Sequence, residues 1–293
     1  MTLYLGNQKI TTLIKPDFIG IPREVSSQGV YQMPSNNFTF TLPEGATDIR
    51  DYGMQSAFLG GASLTTVDLS SLTTISGSRA MQNAFPSCTF LTSIDLSSLT
   101  TISGGLAMQN AFQNCTSLAS IDLSSLTTVS GQQGMYCTFL GCTSLTSIDL
   151  SSLTTISGSK AMQYAFQRCV SLTTVDLSSL TTVSGSSGMQ QAFYDCTSLT
   201  SVDLSSLTTV SGSSAMQNAF QNCTSLKTLS FPSLISTSFG SYTNQFDNML
   251  INCSNVAVHF PSNLQSVIGS WSSVTGGFGS TNTTVLFDLQ ATT

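Results

Sequence analysis

The amino-acid sequence predicts an α/β, β-rich solenoid of 27-residue units, each a short parallel strand, a second extended piece and a short helix. Three observations carry this. The stretch Leu91–Gly104 recurs as Leu64–Gly77, Leu118–Gly131, Leu145–Gly158, Leu172–Gly185 and Leu199–Gly212. Asp68, Asp95, Asp122, Asp149, Asp176 and Asp203 stand 27 residues apart. Within each unit a strand-like alternation gives way to a helix-like apolar spacing. A strict period in this range means that each unit buries its apolar face only against its neighbours.

Residues 1–37 stand outside the repeat and are expected to cap its first unit or to anchor the protein to something else. Leu3, Tyr4 and Leu5, then Ile10, Leu13 and Ile14, predict two short strands around a Gly6-Asn7 turn. Lys15-Pro16-Asp17 and Gly20-Ile21-Pro22 read as loop. The solenoid is expected over 38–265, because Phe40-Thr41-Leu42-Pro43 aligns with Val67-Asp68-Leu69-Ser70, and Met54 through Phe58 with Met81 through Phe85.

Inside a unit, Ile94 and Leu96 alternate with Ser93 and Asp95, which sends the first pair inward and the second outward from a strand. Leu99 and Ile102 make a second apolar pair after a Ser-Ser turn. Beyond Ser103-Gly104, the residues Ala107, Met108, Ala111, Phe112 and Cys115 fall on one face of a helix of about two turns. Pro86 sits in the matching stretch of one unit, where the helix is expected to end near Phe85 or to turn 3₁₀-like. Towards the C-terminus, Leu226–Leu234 keeps the phase with Ser230 in place of Asp. An irregular insertion is expected around Tyr242–Met249, a further strand at Val258–Pro261, and a C-terminal cap over 266–293 that ends in Thr284–Leu289.

Charged residues make up only 8% of the chain, against about a quarter in ordinary soluble domains, and hydroxyls take their place: the unit Leu91–Ser117 has nine Ser or Thr. A net charge of −6 argues against nucleic acid as a partner, which calls for a dense basic face. No run of 18 apolar residues exists, so no membrane span is expected. The first ten residues lack a basic leading region and a long apolar core and do not read as a secretory signal. The protein is nonetheless expected outside the cell, at a cell surface or in a virion, either released by another route or deprived of its leader. Cys88, Cys115, Cys142, Cys169, Cys196 and Cys223 share one position of the unit and should stack as buried thiols rather than pair as disulfides. One His and no CxxC pair make a zinc site improbable.

LxxIxL, a loop, a second LxxI and then AFxxC resemble the leucine-rich repeats of the BspA-like class, also called the Treponema pallidum type, over about residues 38–265. The family's Pro after the second strand Leu is present only in Leu42-Pro43, Phe231-Pro232 and Phe260-Pro261, and the Ser-Gly-x-x-x-Met-Gln segment makes the central units longer than usual. The resemblance implies a curved right-handed leucine-rich-repeat solenoid and roles in adhesion to host or bacterial surfaces; it contributes no catalytic residues. Leu3–Ile10 is similar to the opening of structural proteins in phages and prophages of Gram-positive bacteria.

The most unusual feature is the Asp column. Six carboxylates on stacked strands lie roughly 4.8 Å apart, and neighbouring charges at that distance repel by ~1 kcal/mol even in water. The plain reading is that hydroxyls such as Ser93 and Ser97 around Asp95, and backbone amides, donate to them. The functional reading is a cation, a basic partner or a sugar bound along Asp68, Asp95, Asp122, Asp149, Asp176 and Asp203 with Ser93, Ser120, Ser147 and Ser201. No cofactor is expected; calcium would suit an oxygen-rich stripe, but a flat one does not assure its shell of about six to eight oxygens. Thr100-Thr101 and their copies form a neutral column read as strand pairing, with ice binding as a remote alternative. The Met column reads as core; Arg79, Lys160 and Arg168 as a solvated face; Trp271 and Tyr242 as packed cap residues before sugar platforms. His259 has no nucleophile fixed beside it in sequence, so catalysis has little support. The expected function is non-enzymatic recognition or adhesion, in which the concave Ser/Thr-Asp-Ser face binds a protein or glycan at a cell surface. The alternative is a phage or prophage tail component or a self-assembling filament, favoured by near-identical units with few charges.

Overall fold

The computed structural model describes residues 38–42, 46–58, 61, 63–235, 244–268 and 283–289, and the backbone of strands Leu3–Leu5, Gln8–Ile10, Glu24–Val25 and Tyr31–Gln32. Leu3–Leu5 pairs antiparallel with Gln8–Ile10, Leu3 opposite Ile10. The second strand thus starts earlier than the apolar residues suggested; Gly6, Asn7, Leu13, Ile14 and the loops at 15–17 and 20–22 lie outside the described residues.

Ten parallel strands build one long sheet, running from Phe38–Thr41 through Leu64–Asp68, Ser93–Asp95, Ser120–Asp122, Ser147–Asp149, Thr174–Asp176, Ser201–Asp203, Thr228–Ser230 and Ala257–Pro261 to Thr284–Leu289. The register never slips in the central units: Ser120 faces Ser147, Ile121 faces Ile148 and Asp122 faces Asp149. The predicted alternation holds, with Ile121 buried between exposed Ser120 and Asp122. A second sheet of six two-residue strands, Thr74–Ile75 to Thr209–Val210, stacks in the same way, Thr128 on Thr155 and Val129 on Ile156.

The predicted helix does not form, and with it the α/β label fails. Among the described residues the only helical pieces are a 3₁₀ turn at Ser262–Leu264 and one α-turn at Gln265–Ile268. In each unit the stretch expected to be helical is instead a ribbon of consecutive turns. Its amides alternate: Leu106, Met108, Asn110, Phe112 and Asn114 donate to carbonyls of the next rung, while Gln109, Ala111, Gln113 and Cys115 donate three residues back. Every fourth residue is left-handed, as at Leu106 (φ 58°), Asn110 (φ 54°) and Asn114 (φ 58°), which no α-helix tolerates. The reason is spacing. Packed helices need about 8–10 Å between axes, whereas the strands impose about 4.8 Å per rung. A turn ribbon advances at the strand's pitch and bonds to its neighbours. Pro86 fits because the amide at its position closes a turn within the rung in other units (Gln113 to Asn110, 3.3 Å) and serves no neighbour. It follows Phe85 and precedes left-handed Ser87, the place where turns accept proline.

The ribbon still buries the predicted residues. Ala107, Met108, Ala111, Phe112 and Cys115 are all fully buried, as are Leu91, Leu96, Leu99 and Ile102. Each side chain packs on its own copy. From Phe58 to Phe220 seven phenyl rings stack with centroids 4.7–5.6 Å apart. All eight cysteines are free and buried. Cys115 donates its thiol to Phe85 O at 3.2 Å, and the column repeats this down to Cys223 and Phe193. Burial pushes the Cys142 and Cys196 thiols up to about 12. Glutamine amides run down the ribbon from Gln163 to Gln190 (2.5 Å) and Gln190 to Gln217 (2.6 Å), with Tyr136 interrupting the row. Nor is Gln245–Met249 irregular: Met216, Asn218, Phe220 and Asn222 donate to Gln245, Asp247, Met249 and Ile251, an ordinary ribbon whose acceptors lie 29 rather than 26 residues on. The extra residues fall between Ile235 and Gln245; Tyr242 lies outside the described residues.

One column allows no side chain. A Cβ on Gly158 would lie 2.2 Å from Gly131 O, and one on Gly131 would lie 2.1 Å from Gly104 O. Gly158→Ala should therefore lower stability by more than about 2 kcal/mol, whereas Gly105→Ala, whose Cβ meets nothing nearer than 4.0 Å, should stay within about 0.5 kcal/mol. Urea midpoints of the two variants check this. A thiol reagent should label none of the buried cysteines in the native protein at pH 8 and all eight after unfolding in denaturant.

Candidate functional site

The exposed face of the long sheet carries a groove of about 1250 Å³ that spans seven strands from Thr66 to Ser230. It has three kinds of lining residue, each a consequence of period-two alternation. One wall column is hydroxyl, with Thr66, Ser93, Ser120, Ser147, Thr174, Ser201 and Thr228; the other is acidic, from Asp68 to Asp203, and ends in Ser230. Ile94, Ile121, Ile148 and the valines line the strip between them, with their side chains turned inward and all but buried. The structure thus brings together on one surface all ten residues singled out in the sequence, and adds Thr66, Thr174 and Thr228 to their hydroxyl column.

What holds the carboxylates is local. Asp122 Oδ1 accepts hydrogen bonds from Ser124 N (2.9 Å) and Ser124 Oγ (2.7 Å). Asp68 with Ser70 and Asp95 with Ser97 repeat both bonds, and Asp149, Asp176 and Asp203 accept the amide of the Ser two residues on at 2.9 Å. The Ser124 hydroxyl, and then its amide, hold the Asp122 carboxyl below the usual carboxylate range. The donor is Ser97 and its copies; Ser93 lies exposed in the strand.

This turn explains a pattern in the sequence. In the six units with Asp, Ser stands two residues on. Where that residue is Pro43, Pro232 or Pro261, the Asp position holds Thr41, Ser230 or His259. Proline has no amide to donate, so the acceptor is dispensable. Among the described residues Oδ2 of the column carboxylates has no protein partner, although each of these residues lines the groove.

The remaining candidates resolve differently. Thr100 and its copies donate their hydroxyls to the carbonyl of the matching Thr one rung back, Thr127 to Thr100 O at 3.0 Å, so this column ties rungs together. The Met column is buried core. Arg79 lies 6.0 Å from the centre of the Tyr52 ring rather than alone. His259 has a partner unseen in the sequence: its Nδ1 lies 3.0 Å from both carboxylate oxygens of Asp288, 29 residues on. Ser230 is in register with His259, and no hydrogen bond joins the two among the described residues. Among the described residues no three His, Cys, Asp or Glu side chains converge to hold a metal ion. Trp271 lies outside the described residues.

Comparisons place the repeat among known proteins. A family model described as BspA type leucine rich repeat region matches in six copies, over residues 27–137, 55–187 and 108–245. A leucine-rich cell surface protein from Faecalibacterium prausnitzii A2-165 is 17% identical, with 85% of this chain and 88% of that one covered and a TM-score of 0.26. A leucine-rich repeat protein from Bacteroides ovatus is 18% identical, over 87% and 93%, with a TM-score of 0.20. The Drosophila Toll–Spätzle complex aligns at 15% identity, over 86% of this chain but 34% of that one, with a TM-score of 0.37. Among curated proteins none matches. The phage-like reading of the N-terminal strand finds no support here.

Asp122→Ala removes the acceptor for both Ser124 donors and should cost about 1 kcal/mol at pH 7, whereas Asp122→Asn keeps an Oδ1 and should cost less. Because the folded carboxyl titrates low, the turn is at full strength above about pH 4 and weakens as pH falls through the folded value. The gap between the urea midpoints of wild type and Asp122→Ala should be smaller at pH 3 than at pH 7.

Proposed function

This chain belongs to the BspA type leucine-rich repeat family, and on that footing we propose that it is a non-enzymatic recognition protein that binds a protein or glycan at a cell surface through the groove of the long sheet. The observation that carries the reading is the groove itself. Unlike the Thr column of the second sheet, whose outer hydroxyls donate to the backbone, its acidic wall keeps one oxygen per rung without a protein partner. Its rungs offer a hydroxyl and a carboxylate oxygen at each step, a mixture that suits the hydroxyl edges of sugars or the backbone of an extended chain. Among the described residues no helix is long and apolar enough to cross a membrane, so attachment to a surface would run through such binding or through other parts of the chain.

Asparagine separates the scaffold role of the column from the recognition role, since it retains the Oδ1 that accepts from Ser and removes the charge. The triple substitution Asp122→Asn, Asp149→Asn and Asp176→Asn should leave the urea midpoint close to wild type. It should weaken binding to glycan or surface-protein arrays by roughly tenfold or more, equivalent to about 1.4 kcal/mol. Unchanged binding would remove the groove from the reading.

A further inference from the structure

The last strand of the long sheet, Thr284–Leu289, is unlike every other. It has six residues where the central strands have three, and it is the end of the sheet. One side pairs with Ala257–Pro261, and among the described residues nothing pairs with the other. Val285 and Phe287 continue the core columns of Val258 and Phe260, yet stay only partly buried while Val258 and Phe260 are fully buried. The strand has no Lys, Arg or Pro, the residues with which proteins commonly blunt such an edge.

From this edge we propose that the chain forms a two-fold dimer in which Thr284–Leu289 pairs antiparallel with the same strand of a second copy, centred on Leu286. The register follows from the strand's own geometry. Thr284 N donates inward to Val256 O, so by alternation Val285 and Phe287 turn their amides and carbonyls outward. A pairing centred on Leu286 sets Val285 opposite Phe287 of the partner, twice. Both outward pairs then exchange their hydrogen bonds, and the two partly buried core side chains close on each other. Asp288, already held by His259, falls opposite Thr284, so no like charges meet. The axis stands perpendicular to the sheet and keeps both grooves on one face. A self-complementary edge closes as a dimer, whereas end-to-end addition would grow without limit.

Light scattering on the eluting full-length chain should give twice 30.9 kDa. Leu286 is its own partner across the axis, so Leu286→Lys should give the single-chain mass by setting two ammonium groups against each other, and Leu286→Glu should do the same. Mixing the two variants should restore the double mass, which a folding defect would not do. A second variant, Val285→Pro, removes an outward amide and leaves the existing ladder intact; it too should be monomeric. A monomeric wild type, an open-ended polymer, or a Leu286→Lys protein of unchanged mass would overturn the proposal.

Discussion

Everything in this molecule depends on one constraint: each side chain must accept a copy of itself roughly 4.8 Å away, above and below. Phenyl rings meet it by stacking, thiols by donating to the carbonyl one rung back, threonines likewise, and glutamine amides by pairing head to tail. Gly131, Gly158 and Gly185 meet it by having nothing to offer, so that backbone can lie on backbone. Aspartate is the one repeated side chain for which self-stacking is unfavourable. Its tolerance rests on the Ser two residues on, whose amide donates to one oxygen of each carboxylate, joined by the hydroxyl at Asp68, Asp95 and Asp122.

The same constraint decides how much could be read from the amino-acid sequence. Strand, register and core were legible because alternation and a fixed period report directly on burial: Ile94, Leu96, Leu99 and Ile102 lie where the pattern puts them. The ribbon was misread for a specific reason. Ala107, Ala111 and Cys115 recur at a spacing of four, which a helix of 3.6 residues per turn and a chain of four-residue turns both satisfy over so short a stretch. The discriminating signal lay in the other positions. Asn83, Asn110, Asn114, Asn218 and Asn222 sit at the left-handed positions of their ribbons, where Asn is favoured over most residues. The role of the Asp column was legible too, in the way Asp appears with Ser and disappears with Pro. By contrast, the pairing of His259 with Asp288 depends on a strand that returns to the sheet after a break in the repeat, and no period announces it.

The groove inherits its chemistry from the scaffold. Because the strand alternates, a Ser–Ile–Asp triplet must show two polar groups outward for each apolar group inward, and because the register is kept, those groups form rows rather than a scatter. A partner that meets such a surface meets the same contacts at every step. Recognition of this kind rewards ligands that are themselves extended, since several weak contacts at equal intervals combine into useful affinity.

A rung bonded only to its two neighbours has a consequence for how the chain can change over generations. The coding segments for successive units are close to interchangeable, and unequal exchange between them would add or delete 27 residues without disturbing Phe38–Thr41 at one end or Thr284–Leu289 at the other. The Gly, Phe and Cys columns would simply lengthen or shorten by one member. Reach, and with it the number of contacts available to a long ligand, is thereby an inherited variable adjustable in whole steps while the chemistry of each step is left alone.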